Sequence, residues 1–251
     1  MRRAAAQTHD VEELPPFVLF FSATDPLRFF NYARPMEPLN GDLSEALAKV
    51  RAAFADRQRT PRFEFIEEFA PALGPLLEGA GCSLEDRYLL MVCTRDTLKP
   101  APVVPGLEVK ALSATDPLPL LRAFKSVQAH AFEEEELVAL DEDSVGSEDI
   151  GQRFVESGAF LGLLDGAPAS AVDFTAPLDG FTELVGLGTL VEFRRRGIGA
   201  ALIAHATRAA FDLGVEIAFL TAGDANAGRV YERVGFRPFA SLLAYIERPH
   251  S

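Results

Sequence analysis

Hydrophobic residues recur with strand-like and helix-like spacing along the whole chain. In the N-terminal part, the pattern predicts strands at 17–21, 62–66 and 88–94, with helices at 43–54 and 70–80. Apolar side chains recur every three to four residues in the helical segments, whereas the strand segments are short apolar or alternating runs. The first ten residues are polar and predict a frayed tail.

The segment 99–106 holds three prolines and a glycine and is the strongest linker candidate in the chain. It predicts an N-terminal domain over residues 1–105 and a second domain over residues 106–251. Beyond the linker, strands are predicted at 107–112, 159–164, 169–175, 181–191, 215–221 and 238–246, and helices at 118–132, 150–156, 199–213 and 225–234. This order predicts a mixed α/β fold, with a right-handed strand–helix–strand crossover between residues 181 and 221.

The charge of the chain disfavours two classes of partner. Its 251 residues include 24 Lys and Arg against 37 Asp and Glu, a formal charge of -13. Proteins that bind nucleic acids or anionic membranes neutralise phosphates with basic residues, so neither partner is expected. The sequence has neither a signal-peptide core nor an apolar run of about 20 residues, the length of a membrane span. We therefore expect a cytoplasmic protein.

The cysteines and histidines give no metal-binding pattern. Cys82 and Cys93 lack ligand spacing and predict two buried thiols in a reducing compartment. The four histidines are scattered and form no paired-histidine helix motif, so no metal cofactor is expected.

The segment Arg194-Arg195-Arg196-Gly197-Ile198-Gly199-Ala200 carries the clearest chemical signal. It lies between a predicted strand and a predicted helix. Glycines allow a tight turn, the free N–H groups of a helix start attract an anion, and arginines add charge-assisted hydrogen bonds. The segment indicates either a pyrophosphate site or a glycine-containing helix start with solvated arginines.

A second segment lies one strand–helix unit downstream and contains Asn226, Tyr231, Gly235 and Phe236. Together with an Arg-x-x-Gly-x-Gly motif at Arg194, it resembles the GNAT (GCN5-related N-acetyltransferase) superfamily over residues 107–247. The resemblance implies an acyl-CoA-binding α/β fold and acetyl-CoA as the cosubstrate.

The same resemblance implies roles for individual residues. Backbone N–H groups beside Arg194 would bind the pyrophosphate, and they belong to Arg195, Arg196, Gly197, Ile198, Gly199 and Ala200. The main chain of Leu187, Gly188 and Thr189 would pair with the pantetheine arm, on a strand that splays from its neighbour. Asn226 would contact the cofactor, and Tyr231 would protonate the leaving thiolate; the alternative for Tyr231 is a core aromatic.

The resemblance also suggests Glu183 as general base, because it lies eleven residues before Arg194 as in histone-acetylating members. The attacking amine must be neutral, which a carboxylate can ensure directly or through a water. Asp173 is a second candidate. The alternative for Glu183 is a solvent-facing strand residue.

Charge differs between the two sides of the predicted cleft. Residues 133–149 hold nine acidic side chains and no basic one, whereas the chain from Arg194 onward has eight arginines and five acids. An acidic acceptor side would concentrate a cationic amine, while such runs are also common as solvated loops.

The N-terminal region lacks the Arg-x-x-Gly-x-Gly motif. Its strand at 62–66, the helix after it and Gly81-Cys82 echo the end of a GNAT domain. We expect either a degenerate GNAT-like domain without a CoA site or an unrelated extension.

The sequence thus predicts an acetyl-CoA-dependent N-acetyltransferase that acts on a small primary amine by direct attack. The alternatives are a catalytically silent CoA-binding module and a protein acetyltransferase. The oligomeric state is not predicted.

Overall fold

A computed structural model describes residues 9–22, 27–131 and 157–248. The described strands are β1 (His9–Leu14), β2 (Phe17–Ser22), β3 (Asn31–Pro35), β4 (Arg62–Ile66), β5 (Cys82–Thr94), β6 (Leu107–Leu112), β7 (Gly158–Leu164), β8 (Ala167–Phe174), β9 (Phe181–Thr189), β10 (Ile217–Ala222) and β11 (Arg237–Glu247). The described α-helices are α1 (Ser44–Asp56), α2 (Leu73–Gly79), α3 (Leu118–Ala131), α4 (Ile198–Asp212) and α5 (Ala225–Val234). The mixed α/β fold predicted from the sequence is confirmed.

The chain divides into two compact units. The first unit comprises residues 1–90, 221–224 and 239–251, and the second comprises residues 91–220 and 225–238. The proline-rich segment 99–106 lies inside the second unit, and most of the C-terminal strand β11 belongs to the first. The compact units therefore differ in their bounds from the predicted domains 1–105 and 106–251.

The first unit contains a mixed sheet in the order β1-β2-β3-β4-β11-β5. β1, β2 and β3 are antiparallel neighbours, β3 is parallel to β4 at Ala33 and Phe63, and β11 is antiparallel to β4. Phe17 and Phe21 point from β2 into the main core with Phe54 of α1. Phe20 lies on the opposite face beside Tyr32, which explains why β2 reads as a continuous apolar run.

The second unit contains the strand order β6-β7-β8-β9-β10. The pairs from β6 to β9 are antiparallel, and β10 is parallel to β9 after the intervening helix α4. α3 packs on the face that carries Leu161 and Ala171. Leu202 of α4 lies beside Gly162 and therefore on the other face, because neighbouring strand residues point to opposite sides. Asp165 and Gly166 form the predicted hairpin turn with positive φ angles of 50° and 84°.

Several elements differ from those predicted by hydrophobic pattern. β1 and β3 are not predicted, because β1 is a charged strand at the edge of its sheet and β3 contains Asn31, Arg34 and Pro35 and so forms no apolar run. β5 begins at Cys82 rather than at residue 88, and α2 covers seven residues instead of eleven. The predicted helical patch at 150–156 lies outside the described residues.

The two units share an order of elements. In each, an antiparallel meander (β1-β2-β3 or β7-β8-β9) leads through a helix (α1 or α4) to a parallel strand and then to a shorter helix. A strand follows the shorter helix in both cases, and the one after α5 is β11, most of which belongs to the first unit. The similarity between the two parts of the chain is therefore wider than the strand–helix–strand echo in the sequence.

A charge network is buried in the first unit. Arg62 is 1% exposed and bonds Glu64 at 2.5 Å and Glu85 at 2.6 Å, and Arg34 bonds the other oxygen of Glu64 at 2.8 Å. Burial raises the pKa of Glu64, but Arg34 and Arg62 outweigh that effect and hold the pKa below its ordinary value. The network stabilises the unit only while the carboxylate is charged.

Replacing Arg62 with methionine should lower the free energy of unfolding by about 3 kcal/mol at neutral pH, because Glu64 and Glu85 each lose a buried guanidinium partner. Since the native pKa of Glu64 lies below the ordinary 4.5, its stabilisation is present above that pH and is lost as the pH falls. Urea unfolding from pH 7 to pH 3 measures the free energy of unfolding, and the difference between wild type and variant should become smaller in acid. Lys49→Met, which removes an exposed pair with Glu45, is the control and should cost under about 0.5 kcal/mol. A difference in the free energy of unfolding that stays constant with pH would contradict the prediction.

Candidate active site

β9 parts from β10 after three residue pairs. Phe181, Thr182 and Glu183 pair with residues 217–219 of β10, and the parallel ladder between these described strands ends there. On its other side, β9 remains paired with β8 as far as Thr189. The second half of β9 therefore has a main-chain edge that is not paired with β10, and the side of β9 along this edge is called the gap.

Antiparallel pairing determines which main-chain groups face the gap. Leu190 N–H donates to the carbonyl of Ala169 at 3.0 Å, so Leu190 and, by alternation, Gly188 direct their main-chain groups toward β8. Leu187 and Thr189 direct theirs toward the gap. Of the three residues predicted to pair with a pantetheine arm, Leu187 and Thr189 thus direct main-chain groups away from β8, whereas the carbonyl of Gly188 accepts a hydrogen bond from Ser170 at 2.7 Å.

The loop after β9 is exposed at residues 194–197 and leads into the N-terminus of α4. It makes a 3-10 turn at Val191–Phe193, and Arg195 and Gly197 have positive φ angles of 62° and 81° before α4 begins at Ile198. The first N–H groups of a helix lack an intrahelical acceptor, and the first turn of α4 has no acidic residue. Because the helix dipole adds positive potential there, this end of α4 suits an anion.

Two of the three loop arginines bond to the protein itself. Arg194 donates to the carbonyl of Thr189 at 2.9 Å and to the carbonyl of Ala131 at 3.0 Å. Arg196 donates to the carbonyl of Glu192 at 3.2 Å. Arg194 thus joins the end of β9 to the end of α3, an arrangement that its place in the sequence motif does not reveal.

Asn226 and Tyr231 lie on α5, which packs against α4. Asn226 is exposed in the first turn and accepts a hydrogen bond from Arg229. Tyr231 is buried, and its ring centroid lies 6.1 Å from that of Phe236. Gly235 ends the helix at φ 110°, where a Cβ atom would lie 2.0 Å from the carbonyl oxygen of Thr97, so only glycine fits.

The two candidate bases share one face of the sheet. Asp173 is paired with Val185 across the strands, and Glu183 lies two residues before Val185, so their side chains leave on the same side. Gln128 of α3 donates to Asp173 at 2.8 Å, which identifies this face as the one covered by α3. The sequence gives no signal for Gln128.

The acidic segment 133–149, which the sequence suggests for the acceptor side, lies outside the described residues. Cys82 and Cys93 are buried and free, and burial raises the pKa of Cys82 to about 11, so its thiol is a poor nucleophile. Within the described ranges there is no cluster of three His, Cys, Asp or Glu side chains able to hold a metal. No helix among the described residues is both long and apolar enough to cross a bilayer.

An open strand edge followed by the N-terminus of a helix suits an extended ligand with a phosphate group. In comparison with known proteins, residues 121–236 match the model of the Acetyltransferase (GNAT) family. The resemblance to GNAT proteins is confirmed over those residues. No curated protein matches the sequence.

Solved structures match over most of the chain. A GCN5-related N-acetyltransferase from Kribbella flavida is 27% identical, with 99% of this chain and 93% of that chain covered at a TM-score of 0.81. A GCN5-related N-acetyltransferase from Sphaerobacter thermophilus is 16% identical, with 94% and 82% covered at 0.66. A tandem GNAT protein from the clavulanic acid biosynthesis pathway is 14% identical, with 94% and 79% covered at 0.64. The last two show likeness of fold alone.

Replacing Arg194 with alanine should lower the free energy of unfolding by about 1–2 kcal/mol, because two hydrogen bonds from a charged group are lost. Arg194→Lys should restore only part of this, since an ammonium lacks the planar fork that reaches both carbonyls. Urea unfolding measures the change, and Arg233→Ala, at an exposed position of α5, serves as control. Equal midpoints for wild type and Arg194→Ala would contradict the prediction.

Proposed function

We propose that the second unit is an acetyl-CoA-dependent N-acetyltransferase that transfers acetyl to a small primary amine. The observation that carries the proposal is the open edge of β9 leading directly into the free N-terminus of α4. An extended cosubstrate with a pyrophosphate fits both features at once. The family match to residues 121–236 supports acyl transfer as the reaction class.

Different residues along the proposed cleft bind different parts of the cosubstrate. N–H groups of the loop and of the first turn of α4 bind the pyrophosphate, with Arg194 holding the loop beneath them. The main-chain groups of Leu187 and the N–H of Thr189 face the pantetheine arm, and Asn226 contacts the cosubstrate from α5. Bound acetyl-CoA would supply the thioester carbonyl that the amine attacks directly, without a covalent enzyme intermediate.

Two side chains move protons. Glu183 takes the proton from the attacking amine, directly or through a water, and Tyr231 gives its phenolic proton to the departing thiolate. The acidic segment 133–149 supports a cationic acceptor, because its charge would concentrate one. The two free thiols fit a cytoplasmic protein, since thiols stay reduced in that compartment.

We propose that the first unit is a GNAT-like half that does not bind CoA. Its element order supports this, as does the fold likeness to a protein described as a tandem GNAT. At the start of α1, the carboxylate of Asp42 accepts the Ser44 N–H at 2.8 Å, and Glu45 adds a second negative charge in the first turn. A helix start occupied by carboxylates repels a phosphate.

Tyr231→Phe should lower kcat by about a hundredfold while leaving CoA affinity unchanged, because only the acid step loses its proton donor. Thiol release from acetyl-CoA, measured with pools of polyamines, aminoglycosides, amino acids and basic peptides, provides the assay. Tyr88→Phe, which removes a phenol bonded to Asp86 outside the site, is the matched control and should keep full turnover. CoA binding without turnover on every pool would favour the silent CoA-binding module, and preference for peptides would favour a protein acetyltransferase.

Titration calorimetry should give one CoA site per chain. Arg196→Asp should abolish it, because residue 196 stands two positions before the first residue of α4, as Asp42 does before α1. Arg233→Asp makes the same charge change on α5 and should bind CoA like wild type. Two sites in wild type, or full binding by Arg196→Asp, would contradict the assignment.

A further inference from the structure

β9 contains one residue more than β8 at the point where it opens toward the gap. Ala171 is paired with Gly188 but Asp173 is paired with Val185, so the register shifts by one residue between them. Gly186 lies within this bulge and has a φ angle of 63°. Such a bulge changes which main-chain groups of a strand face each side.

The register on either side of the bulge shows this effect. Thr175 N–H donates to the carbonyl of Glu183 at 2.9 Å, so Glu183 and Val185 direct their main-chain groups toward β8. In a regular strand, Leu187 and Thr189 would follow the same direction. The extra residue reverses it and directs both toward the gap, where the proposed cosubstrate arm lies.

A side chain from α3 caps the bulge. The Gln128 amide nitrogen donates to the carbonyl of Gly186 at 3.2 Å and to Asp173 Oδ1 at 2.8 Å. A Cβ atom on residue 186 would lie 2.2 Å from that nitrogen and 2.8 Å from Asp173 Oδ1. Gln128, Gly186 and Asp173 are therefore fitted to one another, and glycine is required by space as well as by its backbone angle.

We propose that Gln128 is a positioning residue for acetyl transfer. Its amide holds the bulge of β9 and so fixes the direction in which Leu187 and Thr189 present their main-chain groups to the arm of the acyl donor. The same amide donates to the Asp173 carboxylate, on the sheet face that also carries Glu183, the proposed general base. Gln128 therefore contacts both the strand that presents main-chain groups to the acyl donor and the face that carries the proposed base. This inference rests on the proposed function, because it assigns the gap beside β9 to the donor.

Binding of two probes separates a positioning role from a structural one. Acetyl-CoA contacts both the loop and β9, whereas 3′-phospho-ADP carries the phosphates without the pantetheine arm. Gln128→Leu and the isosteric Gln128→Glu should weaken acetyl-CoA binding about tenfold, because the donor to Gly186 is lost. Both should bind 3′-phospho-ADP within about twofold of wild type, because the loop and α4 are untouched.

Kinetics on the best amine acceptor provide a second readout, in which KM for acetyl-CoA rises in both variants. Ser126→Ala, two residues away on the exposed side of α3, is the control and should match wild type in binding and kinetics. Gln128→Glu keeps the size of the side chain, so its binding and kinetics test the proposal even where Gln128→Leu does not fold.

The outcomes are distinct. Selective loss of acetyl-CoA affinity supports the inference. Variants that melt at lower temperature but bind both probes and turn over like wild type overturn it, while leaving the proposed function intact. A wild-type protein that binds neither probe overturns the proposed function and this inference with it.

Discussion

The early end of the pairing between β9 and β10 is the constraint on which the proposed site depends. Parallel strands normally continue their ladder, and here it ends after Glu183 although both strands continue. The main chain beyond that point must find other partners, since backbone polar groups are costly to bury alone. Arg194 bonds the carbonyl of Thr189, and Gln128 bonds that of Gly186. The main-chain groups of Leu187 and the N–H of Thr189 remain available to a ligand on the side of β9 away from β8.

The two units show how one arrangement of strands and helices can carry opposite electrostatics. In the second unit, α4 begins after a glycine-containing loop with three arginines and has no acid in its first turn. In the first, α1 begins after Asp42, whose hydrogen bonds from the Ser44 hydroxyl and N–H lower its carboxyl pKa. The difference lies in a few residues at each helix start and not in the fold around them.

Much of this structure follows from local sequence. The periodic segments gave β4, β6 and α5 with their observed bounds, because each combines a clear pattern with glycine or proline near its ends. The motif at Arg194 located the loop and the start of α4. β1 was not predicted because its pattern is charged. Gly186, one of two glycines inside β9, was a signal for a bulge that the hydrophobic pattern alone does not use.

The rest depends on distant contacts. Gln128 meets its partners 45 and 58 positions further along the chain, and Arg194 reaches back 63 positions to Ala131. No spacing rule within a window of helical or strand length connects such residues. The carbonyl partners of Arg194 could likewise not be predicted from the sequence, because the motif suggests a phosphate contact and gives no information on main-chain acceptors.

The place of β11 in the first unit has a consequence for how the chain is made. β11 lies between β4 and β5 in that sheet, yet it follows the entire second unit in the sequence. During translation, β4 and β5 leave the ribosome long before β11, the strand that lies between them. The edges of β4 and β5 that face β11 therefore stay unpaired while the second unit is synthesised. The part of the protein that is made first is therefore completed last, and its exposed strand edges are the ones a chaperone would need to shield.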